Sequence, residues 1–215
     1  MRLKITILLL TLILISGCSI TGSFIEVTNC LGIDTNKVDE CYINIAKQRN
    51  DAVFCNIVRD DSSVEYCYTE VAVTTNNANI CTKIKGIYWH DICYKKLALS
   101  TGNAEYCSKL REVTDGNDCL LEVGKNTNDP DACSIITNLE TRDKCFKNIA
   151  VALEDEEICG MIAEQLEKDV CYKKLAKIKE SITICNKIKI SLVKESCYQD
   201  HLGDSQQIQR KVVRV

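Results

Sequence analysis

Hydrophobic and polar positions along this chain repeat every 26 residues, and each repeat carries two helical stripes. The shorter stripe surrounds the cysteines Cys55, Cys81, Cys107, Cys133, Cys159 and Cys185. An apolar residue precedes the cysteine (Phe54, Ile80, Tyr106, Ile158, Ile184) and another follows three positions later (Val58, Ile84, Leu110, Ile162, Ile188). Residues four apart share a helix face with the cysteine between them, so the pattern predicts a short helix. Four residues ahead of each cysteine stand Asp51, Asn77, Asn103, Asp129, Asp155 and Ser181, all of them types whose side chains cap a helix N-terminus. Pro130 follows Asp129 at a position where a missing N–H costs nothing.

The longer stripe opens at a second cysteine, 12 residues on: Cys67, Cys93, Cys119, Cys145, Cys171 and Cys197. Next to it come Tyr68, Tyr94, Leu120, Phe146, Tyr172 and Tyr198, as Tyr42 comes next to Cys41. Four and five positions on come pairs such as Val71-Ala72, Leu97-Ala98 and Leu175-Ala176, with mostly polar residues between. That is one face of an α-helix, and no period-two alternation competes with it. An atypical unit with Cys30 and Cys41, spaced by 11, precedes the others. The expectation is an all-α fold, an α-solenoid of about seven helical hairpins.

A turn midway between the two cysteines of a unit sets them level across an antiparallel hairpin. The predicted disulfides are therefore Cys30–Cys41, Cys55–Cys67, Cys81–Cys93, Cys107–Cys119, Cys133–Cys145, Cys159–Cys171 and Cys185–Cys197. Helices this short are marginal alone, and a staple closing a dozen residues contributes about 3 kcal/mol on the chain-entropy model. The architecture is similar in plan to that of Sel1-like cysteine-rich repeat proteins, whose helical hairpins are also cross-linked. Their repeats are longer and their cysteines closer together, so the similarity carries over no residue.

Ahead of the repeats, Arg2 and Lys4 are followed by an apolar run and by Leu14-Ile15-Ser16-Gly17-Cys18. The arrangement is that of a secretory signal. It also resembles a prokaryotic lipobox, which implies cleavage before Cys18 and a lipid on that cysteine. Expected segments are a signal peptide at 1–17, a linker at 18–25, the repeat array at 26–202 without a domain break, and a tail at 203–215. The alternative is an uncleaved apolar anchor. Either puts the cysteines in an oxidising, extracytoplasmic setting, tethered to a membrane.

At 46% hydrophobic and 27% charged residues the chain is globular. Loss of Arg2 and Lys4 with the leader would take the formal charge from −3 to −5, which argues against a dedicated nucleic-acid binder. Cysteine spacings no shorter than 11 and two histidines do not suit a zinc or iron–sulfur site, and there is no C-x-x-C. No metal, cofactor or catalytic residue is expected. Two local features remain as binding candidates. Trp89 and His90, beside Asp91, are read as an exposed turn of one unit. An acid two residues before the second cysteine (Asp39, Glu65, Asp91, Asp143, Asp169, Glu195) is read as complementing the dipole of its own helix. Lys173, Lys177, Lys187 and Lys189 are read as a distal basic strip for an anionic envelope polymer or an acidic protein surface. The expected function is a membrane-tethered binding or scaffolding module; the alternatives are an envelope enzyme with thiol–disulfide or maintenance activity and a structural spacer.

Overall fold

Every repeat in the computed structural model pairs a short helix with a long one, and the capping residues decide where the short one begins. The structure describes residues 30–32 and 34–212; the leader, the linker and Cys18 lie outside them. Asp51, Asn77, Asn103, Asp129 and Asp155 each accept a hydrogen bond from the amide two residues ahead. The helices they start are 3₁₀ at Ala52–Ile57 and Ala104–Lys109, and α at Ala78–Cys81, Pro130–Ile135 and Glu156–Gly160. Ser181 occupies the same position before Ile182–Lys187, but its hydroxyl meets that of Thr183 instead.

The long helices are Thr35–Arg49, Asp61–Thr75, Ile87–Thr101, Val113–Thr127, Leu139–Leu153, Gln165–Ile178 and Ser191–Val212. Each starts six residues before its cysteine rather than at it. Those six residues face largely outward, so they add a turn and a half of helix without extending the apolar stripe. The last helix continues through Gly203 to Val212, so the boundary at 202 marks the end of the repeat and not of the helix.

Contacts divide the chain into two compact units at Lys85–Gly86. In the first, the helix Thr35–Arg49 packs on Ala52–Ile57 and on Asp61–Thr75. In the second, Val113–Thr127, Leu139–Leu153 and Gln165–Ile178 each pack on the short helix of their own repeat, on the short helix of the next and on the next long helix, which is the stacking rule of a solenoid. No break was expected between 26 and 202, because the repeat pattern runs through the boundary unchanged.

The core follows the sequence stripe. Val71, Leu97, Ile149 and Leu175 are essentially inaccessible, as are the alanines after them. Gly124 takes that small-residue place in the fourth repeat, where a Cβ would come within 3.1 Å of Cys145 Sγ. Tyr42, Tyr68, Tyr94, Leu120, Phe146 and Tyr172 are buried as wedges. Disulfides join Cys30–Cys41, Cys55–Cys67, Cys107–Cys119, Cys133–Cys145, Cys159–Cys171 and Cys185–Cys197, with Cα atoms 5.6–5.8 Å apart. Cys81 and Cys93 are disulfide-bonded as well.

Candidate functional site

The acids two residues before the second cysteine do something other than balance a dipole. Each is the fifth residue of its long helix, past the first turn, and the side chains of Asp39, Asp91, Asp143 and Asp169 reach 20–21 residues along the chain. Asp39 accepts hydrogen bonds from the amides of Arg59 and Asp60, both at 3.1 Å. Asp143 accepts from Ala163 at 3.0 Å and Glu164 at 2.9 Å, and Asp169 accepts from Lys189 at 3.1 Å and Ile190 at 2.7 Å. Asn117, which the acidic pattern passes over, accepts from Thr137 at 3.0 Å. The donors are the last two residues before the next long helix, whose amides have no helical partner. The side chain is thus a latch between neighbouring repeats. Sequence alone reads the acid correctly as recurrent but assigns it to the wrong helix, because nothing in a 26-residue period shows a contact that crosses it.

Trp89 and His90 lie in the first turn of Ile87–Thr101, half-buried, and not in an exposed turn. His90 Nδ1 is 2.9 Å from Asp91 Oδ1, and the imidazole meets the Tyr94 ring edge-on at 4.9 Å. Asp91 also receives the Arg111 amide at 3.4 Å, so the His–Asp pair is built into a repeat junction.

The four lysines do not come together as a strip. Lys173 bonds Ser196 at 2.6 Å and pairs with Asp200 at 3.2 Å, toward the next long helix. Lys187 turns to Glu156 and Glu157, at 3.1 and 3.2 Å, on the preceding short helix, and lies over the Tyr172 ring. The hydrogen bond that Lys187 donates to Glu156 raises its pKa, so this cation is held charged by its own chain. Burial raises the Tyr172 pKa in turn. Lys177 and Lys189 are exposed.

Cys185, Cys197 and His201 bring potential ligand atoms within 4.8 Å of one another. The two sulfurs are joined to each other, however, and a disulfide offers a metal no thiolate. His201 occupies the core place held by Leu97, Ile149 and Leu175 in other repeats.

Open surface is concentrated elsewhere. Two grooves lie between long helices of the second unit at register-equivalent places, 52 residues apart. One, of about 520 Å³, runs between Ile87–Thr101 and Val113–Thr127; the other, of about 540 Å³, runs between Leu139–Leu153 and Gln165–Ile178. Exposed apolar side chains mark this edge in successive repeats: Ile87 and Tyr88, Val113, Leu139, Leu166 and Leu192. The sequence carried that signal as apolar residues outside the buried stripe.

These features define a class, the disulfide-stapled α-hairpin repeat protein, whose covalent cross-links suit an oxidising compartment. No protein-family model matches the chain, and neither a curated protein nor a solved structure matches it. No helix among the described residues is long and apolar enough to cross a membrane.

Proposed function

We propose that the chain is an extracytoplasmic binding or scaffolding module, tethered to a membrane by lipid on Cys18. The supporting observation is the row of exposed apolar residues at the first turns of the long helices in the second unit. The second repeat has Asp61 and Ser62 at those positions, so the fold does not require apolar residues there. Repeated apolar exposure beside a closed core is what an interaction surface presents. Disulfides that hold each hairpin also limit the conformational freedom lost when that surface is covered.

The reading is tested on the full chain produced with its leader. It expects a mature mass that begins at Cys18 and includes lipid, with Cys18→Ser left as unprocessed precursor. The triple variant Ile87→Asp, Val113→Asp, Leu139→Asp should keep the wild-type denaturation midpoint yet lose a stoichiometric membrane partner. Recovery of wild type and variant from solubilised membranes with no such partner would make the chain a spacer.

A further inference from the structure

The two equivalent grooves differ in chemistry, and the difference identifies a ligand class for one of them. In the groove between the third and fourth repeats, Ile87 and Tyr88 stand 57% and 70% exposed. Glu112, Asp115 and Asp118 line the same groove, all exposed. Asp115 and Asp118, three residues apart, are neighbours on Val113–Thr127. Glu112 precedes that helix without capping it, and none of the three carboxylates has a side-chain partner among the described residues. The one cation in the lining, Lys95, is engaged with Glu122 at 3.2 Å.

The groove between the fifth and sixth repeats has nearly the same volume and a different balance. Lys144 stands where the first groove has Ile92, and Lys147 pairs with Glu167. Glu164 caps its own helix through the Glu167 amide, and Asp143 is occupied as a latch. One groove therefore keeps three unpaired carboxylates beside apolar surface, while in its counterpart two lysines stand among the acids and every carboxylate but Glu140 is engaged.

We propose that the groove between the third and fourth repeats binds a cationic polypeptide segment in which Lys or Arg flanks an apolar or aromatic side chain. The apolar side chain is covered by Ile87, Ile92 and Leu110, and the flanking cations meet Glu112, Asp115 and Asp118. Exposed Tyr88 offers a further cation its ring face. At about 520 Å³ the groove is within the range of concave ligand sites, roughly 300–1,000 Å³. Like-charged lining also steers such a segment toward the site, in a salt-dependent manner. The inference rests on the binding-module reading and names the partner's chemistry.

The probe is a labelled synthetic peptide, Lys-Leu-Lys-Phe-Lys, titrated by fluorescence anisotropy into the full, disulfide-bonded chain. The expected result is saturable one-to-one binding that weakens as salt rises. Asp115→Lys and Ile92→Lys should each weaken it at least tenfold. Glu140→Lys in the second groove changes net charge as much as Asp115→Lys does and should leave binding within twofold. Replacing Leu and Phe of the peptide by Gly should lose most of the affinity. Equal loss with Glu140→Lys and Asp115→Lys, or equal binding of the Gly peptide, would overturn the groove in favour of a general charge effect. So would the absence of saturable binding. If the peptide fails while the membrane partner of the previous test is still captured, the groove assignment falls and the module reading stands.

Discussion

Asp91 and Asp169 occupy equivalent positions, yet they hold their junctions very differently. Asp169 is fully buried and receives two amides of the seventh repeat, the shorter bond at 2.7 Å. Asp91 receives one amide at 3.4 Å and shares its carboxylate with His90. The turns that close the two repeats differ in the opposite sense. Gly102, in the repeat with the weak latch, is left-handed at φ 71°, a conformation glycine adopts freely. Glu180, in the repeat with the strong latch, is left-handed at φ 48°, which strains a side chain with a Cβ. Glu154 (φ 53°) repeats the combination in the repeat of Asp143, which also receives two amides. A repeat junction tolerates a strained turn where its latch is strong.

The largest effect should come from removing the strong latch. Asp169→Ala leaves the Lys189 and Ile190 amides without their acceptor and should cost about 2–3 kcal/mol, read from the non-reducing urea midpoint. Asp91→Ala should cost about 0.5 kcal/mol by the same principle, and matching losses would break the contrast. Next in size is Gly102→Ala. Its Cβ would sit 2.9 Å from Thr127 Cγ2 in a left-handed backbone, for a loss of about 1–2 kcal/mol. Glu180→Gly relieves strain and should raise stability by about 0.5–1 kcal/mol, and a fall would show that the glutamate is not strained there. The smallest effect is at His90. His90→Ala should leave the midpoint nearly unchanged while slowing hydrogen exchange at the Arg111 amide, because Asp91 is released to its latch. Faster exchange would mean that the imidazole orients Asp91 instead of competing for it.

Much of this architecture was legible from residue spacing, because the forces involved act within a dozen residues. Caps at Asp51 or Asp129, the buried pairs such as Leu97-Ala98, and cysteines level across a hairpin are all local consequences of helix geometry. The start of the long helix was not legible, since residues such as Ser62, Thr114 and Glu140 lie outside the apolar stripe that signalled it. Nor was the latch, which links residues 20 apart through one carboxylate. Asn117 shows why: an amide does the same work as the acids, so composition alone does not define the position. Lys173 and Lys187 form a basic cluster along the chain, but folding sends them to opposite partners. The grooves were hidden for a related reason: Ile92 and Lys144 look unremarkable until the fold places them at the same point of two cavities.

The staples also set how the chain answers a pull. From Cys159 to Cys185 the backbone covers 26 residues, which at about 3.4 Å each would draw out to roughly 90 Å. The bond between Cys159 and Cys171 removes 12 of those steps from the line of tension and replaces them with a 5.7 Å bridge. An unravelled repeat can then lengthen to only about 50 Å. Load passes through the sulfurs and the outer stretch of the long helix, while the loop between the cysteines stays slack and ready to re-form its hairpin. A protein with one end fixed and the other held by a partner would thus yield in short steps, each stopped by a covalent bond.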